Sequence, residues 1–112
     1  MATGILGNLT TGGAANTNVN PYTVPSGYYS VFNVSITNTN STSVTIKLAL
    51  STQAAGGSVA ASEYIESGTT IIGNGVFERT GLVAGAGYKV WVQSSATAGV
   101  NVTVYGIETS TT

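Results

Sequence analysis

The sequence predicts an all-β fold: a single antiparallel β-sandwich, of jelly-roll or immunoglobulin-like type, entered through an extended N-terminal arm. Three observations carry the prediction. Apolar and polar residues alternate in short runs along most of the chain, which is the period of a strand with one buried face. Clusters of Gly, Pro, Asn and Ser punctuate these runs at turn spacing, giving roughly seven or eight strands. Nowhere do apolar residues recur at the spacing of an amphipathic helix. At 112 residues the chain is one domain with room for a single core.

The elements follow in order. Residues 1–20 are rich in Gly, Thr, Asn and Ala and have little to bury, so they read as an arm preceding a sandwich over residues 21–112. Such an arm is ordered only if something holds it, and a neighbouring subunit would do so. Its apolar side chains Ile5, Leu6 and Leu9 are what it offers a partner. Tyr22-Thr23-Val24 is a short strand closed by the turn signal Pro25-Ser26-Gly27. Phe32, Val34 and Ile36 alternate with Asn33, Ser35 and Thr37, and the adjacent Tyr28 and Tyr29 with the shift at Val31-Phe32 suggest a bulge or twist at the strand start. After the turn at Asn38 to Ser41, Val44, Ile46, Leu48 and Leu50 alternate with Thr45, Lys47 and Ala49, so residues 28–51 read as a β-hairpin.

Thr52 to Ala61 is a Gly/Ala/Ser loop, and Glu63 to Ser67 a possible short strand. Asn74-Gly75 between Thr69–Ile72 and Val76–Thr80 predicts a second hairpin with a tight turn. Tyr88, Val90 and Val92, then Val100, Val102 and Val104, alternate with polar neighbours and predict a third.

The composition argues against catalysis. The chain has no His, Cys or Asp, and charged residues make up 6% of it. General acid–base work, metal ligation and activated nucleophiles depend on those side chains. No catalytic residue, cofactor or metal is therefore expected. The acids are Glu63, Glu66, Glu78 and Glu108. Glu63 and Glu66 point to opposite faces of a strand, so a glycosidase-like carboxylate pair would have to be assembled by the fold. Gly85-Ala86-Gly87 precedes a strand rather than a helix and reads as a turn, not a phosphate cradle. A net charge of −1 offers nothing to a phosphate backbone, so no nucleic-acid partner is expected. No apolar run approaches the roughly 18 residues that span a bilayer, and no basic segment opens a secretory signal. The expectation is a soluble protein made in a cytoplasm.

An apolar content of 42% with so little charge leaves two ways to stay soluble. Either the Ser/Thr/Asn surface suffices, or much of the surface is buried against partners. Trp91 bears on the second. With Val90 and Val92 facing the core, Trp91 points outward, and Tyr105 and Ile107 share that parity on the following strand. Such a patch suits a protein interface or a sugar-stacking platform, unless a loop or the arm covers it. Glu78-Arg79 reads either as an intersubunit ion pair or as edge-strand charge that discourages wrong pairing.

The order of Tyr22-Thr23-Val24-Pro25-Ser26-Gly27, Val34-Ser35-Ile36-Thr37-Asn38, Leu48-Ala49-Leu50-Ser51, Tyr64-Ile65-Glu66, Glu78-Arg79-Thr80-Gly81 and Val104-Tyr105-Gly106-Ile107-Glu108 resembles small virion structural proteins of tailed bacteriophages, notably those infecting marine cyanobacteria. The resemblance runs from Tyr22 to Glu108 and leaves the arm outside. It implies a virion component, either a capsid decoration (cement) protein or a tail-associated domain. The expected function is therefore a structural one: a homotrimer on the capsid surface that clamps the major capsid protein through non-covalent contacts. Its expected interface residues are Ile5, Leu6, Leu9, Glu78, Arg79, Trp91, Tyr105 and Ile107. The alternative is a receptor- or glycan-binding domain of a tail or fibre, with Trp91 as stacking platform.

Overall fold

The computed structural model describes residues 3–11 and 16–111. It holds eight strands: β1 (Thr3–Thr11), β2 (Val19–Thr23), β3 (Tyr28–Asn38), β4 (Val44–Ser51), β5 (Tyr64–Ile71), β6 (Val76–Ala84), β7 (Lys89–Ser94) and β8 (Val100–Ser110). They form two four-stranded antiparallel sheets, sheet A in the order β1-β8-β3-β6 and sheet B in the order β2-β7-β4-β5. Strands pair from the outside of the chain inward: β1 with β8, β2 with β7, β3 with β6 and β4 with β5. That nested pairing, wound into two facing sheets, is a jelly roll. The immunoglobulin-like order, with its different division of strands between sheets, is excluded.

None of the expected hairpins forms. β3 and β4, β5 and β6, and β7 and β8 each lie in opposite sheets. Alternation states which side chains face inward, and a hairpin and an arch between sheets satisfy it equally. At Asn74-Gly75 the turn is closed by Gly75 N–H donating to the Ile72 carbonyl at 2.9 Å. Of its central residues only Asn74 has a positive φ, of 60°, so this is not the I′ form of a tight hairpin. The one consecutive pair within a sheet is β4–β5, joined across the long Gly/Ala/Ser segment.

The N-terminal segment also departs from expectation. Over its described part it is an edge strand: β1 pairs with β8 from Thr3 to Thr11, and β2 begins at Val19. Residues 1–2 and 12–15 of the expected arm lie outside the described residues. A strand's backbone hydrogen bonds need no apolar side chains, so a Gly/Thr/Asn composition did not reveal it. Gly7 lets β1 pass against β2, since a Cβ there would sit 2.1 Å from the Pro21 carbonyl oxygen. The bulge expected near Val31 is absent; β3 runs in unbroken register with β8 from Tyr28 to Asn38. The irregularity lies on β6 instead, where the Asn33 side chain accepts the Gly81 N–H at 3.0 Å.

The core is the space between the sheets. Phe32, Val34 and Ile36 of β3 and Val100, Val102 and Val104 of β8 meet Val44, Ile46 and Leu48 of β4 and Val90 and Val92 of β7, all almost fully buried. Tyr22 and Phe32 pack edge to face with ring centroids 5.8 Å apart. The open side between β5 and β6 is closed by an ion pair, Arg79 Nη1 donating to Glu66 Oε2 at 2.5 Å, while Thr69 Oγ1 donates to Glu66 Oε1.

Buried polar groups tie the two sheets together. In one cluster the Tyr22 hydroxyl donates to Glu108 Oε2 at 2.7 Å and lies 2.5 Å from Ser30 Oγ. Ser30 and Glu108 are register partners on β3 and β8, whereas Tyr22 comes from the other sheet. The phenol's single proton goes to Glu108, so Ser30 is the donor in the second bond. In another, fully buried Asn38 donates to the carbonyls of Thr42, Ile71 and Ile72, and its Oδ1 accepts the Asn40 N–H. It thereby fastens the β3–β4 arch to the β5–β6 arch.

Two predictions follow from these clusters. Asn38→Ala leaves buried carbonyls without a donor, and chemical denaturation should show a loss of about 1–3 kcal/mol. Burial pushes the Tyr22 phenol up to about 12, the Ser30 hydroxyl opposing the shift and the Glu108 carboxylate adding to it. The folded-state value lies above the ordinary one, so this contribution is complete below the ordinary value of 10.0 and is lost as pH rises through about 12. Equilibrium unfolding between those pH values should weaken more steeply in the wild type than in Tyr22→Phe.

Candidate functional site

The outer face of sheet A is the most unusual surface of the molecule. Strand alternation turns Tyr29 and Val31 of β3, Tyr105 and Ile107 of β8, and Val83 of β6 away from the core. Register then aligns them: Ile107 lies opposite Val31, and Val31 opposite Val83. On the other flank Ile5 of β1 lies opposite Tyr105. Adjacent strands are about 4.8 Å apart, so these side chains form one apolar band across the sheet, of order 15 Å long. They are markedly exposed, with Val83 at 63%, Ile5 at 61%, Ile107 at 47% and Val31 at 40%. Isolated exposed aliphatics are ordinary, but a row across β8, β3 and β6 with Ile5 and Tyr105 beside it is not.

Charge is almost absent from this face. Glu78 is its one charged side chain, and it accepts a hydrogen bond from the Tyr105 hydroxyl. That bond raises the Tyr105 phenol above its ordinary value, with desolvation and the carboxylate's charge adding to the effect. Tyr105 thus lies across the sheet with its polar end satisfied and its ring beside the aliphatic band. The surface lends itself to adhesion by apolar burial.

The expected interface residues divide between this face and other places. Ile5, Tyr105, Ile107 and Glu78 come together on sheet A. Leu6 packs against the core, and Leu9 sits half-exposed on the edge strand β1. Arg79 turns from Glu78 toward Glu66 of β5, so the adjacent charges form no pair and Arg79 serves a contact within the chain. Trp91 requires the largest correction. It does point out of its sheet, but that sheet is B, on the opposite side of the sandwich from Tyr105 and Ile107. It is also buried, 6% exposed, beneath the β4–β5 connection. A Cβ on Gly56 would come 2.8 Å from the Asn18 Cβ and 3.2 Å from the indole ring, so the missing side chain eases the close approach of this loop to Asn18 and Trp91. The aromatic patch shared by β7 and β8 does not exist, and Trp91 presents no stacking platform.

Val31 and Val83 escaped the sequence reading, although a signal was present. Both neighbour buried apolar residues, Phe32 and Leu82, so apolar side chains occur on both parities of their strands. Apolar residues on the polar parity mark a strand whose second face is also meant for cover.

The glutamates are dispersed into separate contacts. Glu63 accepts the Ala60 N–H, Glu66 holds Arg79 and Thr69, Glu78 holds Tyr105, and Glu108 holds Tyr22. Among the described residues no group of three or more acidic, His or Cys side chains is placed to hold a metal ion. No protein-family model, curated protein or solved structure matches the chain.

Proposed function

We propose that this protein is a virion structural protein of a tailed bacteriophage, a capsid decoration or cement protein. In this reading it docks on the major capsid lattice through the outer face of sheet A and stabilises it by non-covalent contact. It catalyses nothing, is made in the bacterial host cytoplasm and resides on the capsid surface. The observation that carries the reading is the exposed band of Ile5, Ile107, Val31 and Val83 on a face with a single charge. The resemblance of the segment from Tyr22 to Glu108 supplies the identity of the partner.

The energetics suit such a role. Apolar burial contributes about 25 cal/mol per Å² removed from water, and a band of this size alone supports only weak attachment. Many identical copies on a symmetric lattice, and sister subunits joined as the expected homotrimer, multiply it by avidity. The tail or fibre alternative, as read from Trp91, loses its platform because that ring is covered.

Purified expanded capsids should take up the protein to a stoichiometry set by icosahedral symmetry. Val83→Lys and Val31→Lys, both at exposed positions, should reduce uptake at least tenfold without lowering the melting temperature. Uptake should change little with ionic strength, since the docking face carries almost no charge for salt to screen. Absence of uptake by the wild type, or full uptake by both Lys variants, overturns the reading. Sedimentation equilibrium of the free protein checks the trimer.

A further inference from the structure

A second site lies on the other side of the sandwich. A cavity of about 470 Å³ opens above the outer face of sheet B, its walls including Asn18, Gly56, Gly57, Val59, Tyr64 and Gln93. Its size falls in the usual range for small-ligand pockets. Its walls come from chain segments far apart in sequence: the approach to β2, the β4–β5 loop, the start of β5 and the outward side of β7.

The polar groups of this wall are already organised. Asn18 Nδ2 donates to the Gly56 carbonyl at 2.9 Å and to the Tyr64 hydroxyl at 3.0 Å. Gln93 Nε2 donates to Asn18 Oδ1 and to the same Tyr64 oxygen, each at 3.3 Å. Tyr64 therefore accepts twice and keeps its own proton to give. The Gln93 amide oxygen accepts from no group among the described residues. Trp91 packs beneath Gly56 and holds the loop against the sheet, so the wall is set before any ligand arrives.

The chemistry of the wall selects a ligand class. No Lys, Arg or Glu lines the cavity; Lys47, the register partner of Gln93, is engaged over the Tyr64 ring with its Nζ 5.7 Å from the centroid, so no charged side chain lines the space that a phosphate, a carboxylate or a metal cation would fill. Apart from Val59 and the two glycines the lining side chains are amide, hydroxyl and phenol, which waste their hydrogen-bonding capacity on an apolar guest. A neutral hydroxyl both donates and accepts, and so complements the Tyr64 proton and the Gln93 oxygen together. We propose that this pocket binds a neutral saccharide of one or two rings, with Gln93 and Tyr64 as its recognition groups and Asn18 holding both in place. The site differs from an aromatic stacking platform, because recognition rests on amides rather than on an exposed ring.

Trp91 is the chain's only tryptophan, and its place beneath the cavity wall makes it the reporter. The full chain should be titrated with glucose, galactose and N-acetylglucosamine, and with maltose, cellobiose and lactose. Intrinsic fluorescence and saturation-transfer NMR are read in parallel. At least one sugar should bind saturably, with half-saturation on the order of 1–10 mM. Gln93→Ala should weaken it at least tenfold. A Cβ on Gly57 meets nothing within 4 Å, so Gly57→Leu keeps the fold while crowding the cavity mouth, and it too should weaken binding. The result that overturns the proposal is no saturation with any sugar up to about 100 mM, or unchanged affinity in both variants. Val83→Lys, on the opposite face, should leave sugar binding intact, so this test and that of capsid docking fail independently.

Discussion

The fold depends on one constraint: each strand has a single apolar face, and the faces of the two sheets must cover one another. With few charges and no disulfide, little else can drive assembly. Phe32, Ile36, Ile46 and Leu48 are the largest side chains buried almost completely, and they come from β3 and β4, the central strands of opposite sheets. Nested pairing then brings distant segments together. β1 and β8, from opposite ends of the chain, share one edge of sheet A. A fold dominated by such long-range pairings must close large loops before its contacts reward it, so it should form slowly.

Apolar burial is tolerant of sliding, whereas the polar contacts between the sheets are not. Tyr22, Ser30 and Glu108 can satisfy one another only when β2, β3 and β8 stand in the observed relation. Asn38 imposes the same demand on the arches it joins. The Glu66–Arg79 pair sets the spacing of the β5 and β6 edges. Each removes freedom that a purely aliphatic core would leave open.

The two outer faces have opposite characters. Sheet A presents bare aliphatic side chains with one carboxylate among them, whereas sheet B is roofed by the β4–β5 loop and lined with amides. The back-to-back arrangement follows from the sandwich itself, which gives each sheet one face turned away from the shared core. Part of the first face was legible beforehand: the parity of Tyr105 and Ile107 marked them as outward, and Ile5 as available. Their union with Val31 and Val83 was not, because it depends on β8 lying between β1 and β3. The sheet B pocket was illegible altogether. Asn18, Tyr64 and Gln93 lie in three separate segments that only the roofing loop brings within bonding distance.

Sequence alone determined the local alternation: which residues face inward along the strands it marked, where turns fall, and that no amphipathic helical period runs through the chain. It did so because side-chain direction along a strand follows from backbone geometry with a period of two. Partner choice was decided by tertiary structure alone. Asn74-Gly75 turns the chain whether it makes a hairpin or an arch, and the energetic difference lies in burying two sheets against each other. The same holds for Trp91, whose outward direction was local but whose concealment required a distant loop with a glycine at its point of closest approach. Even the N-terminal strand, unremarkable in composition, exists because β8 offers it an unpaired row of backbone groups.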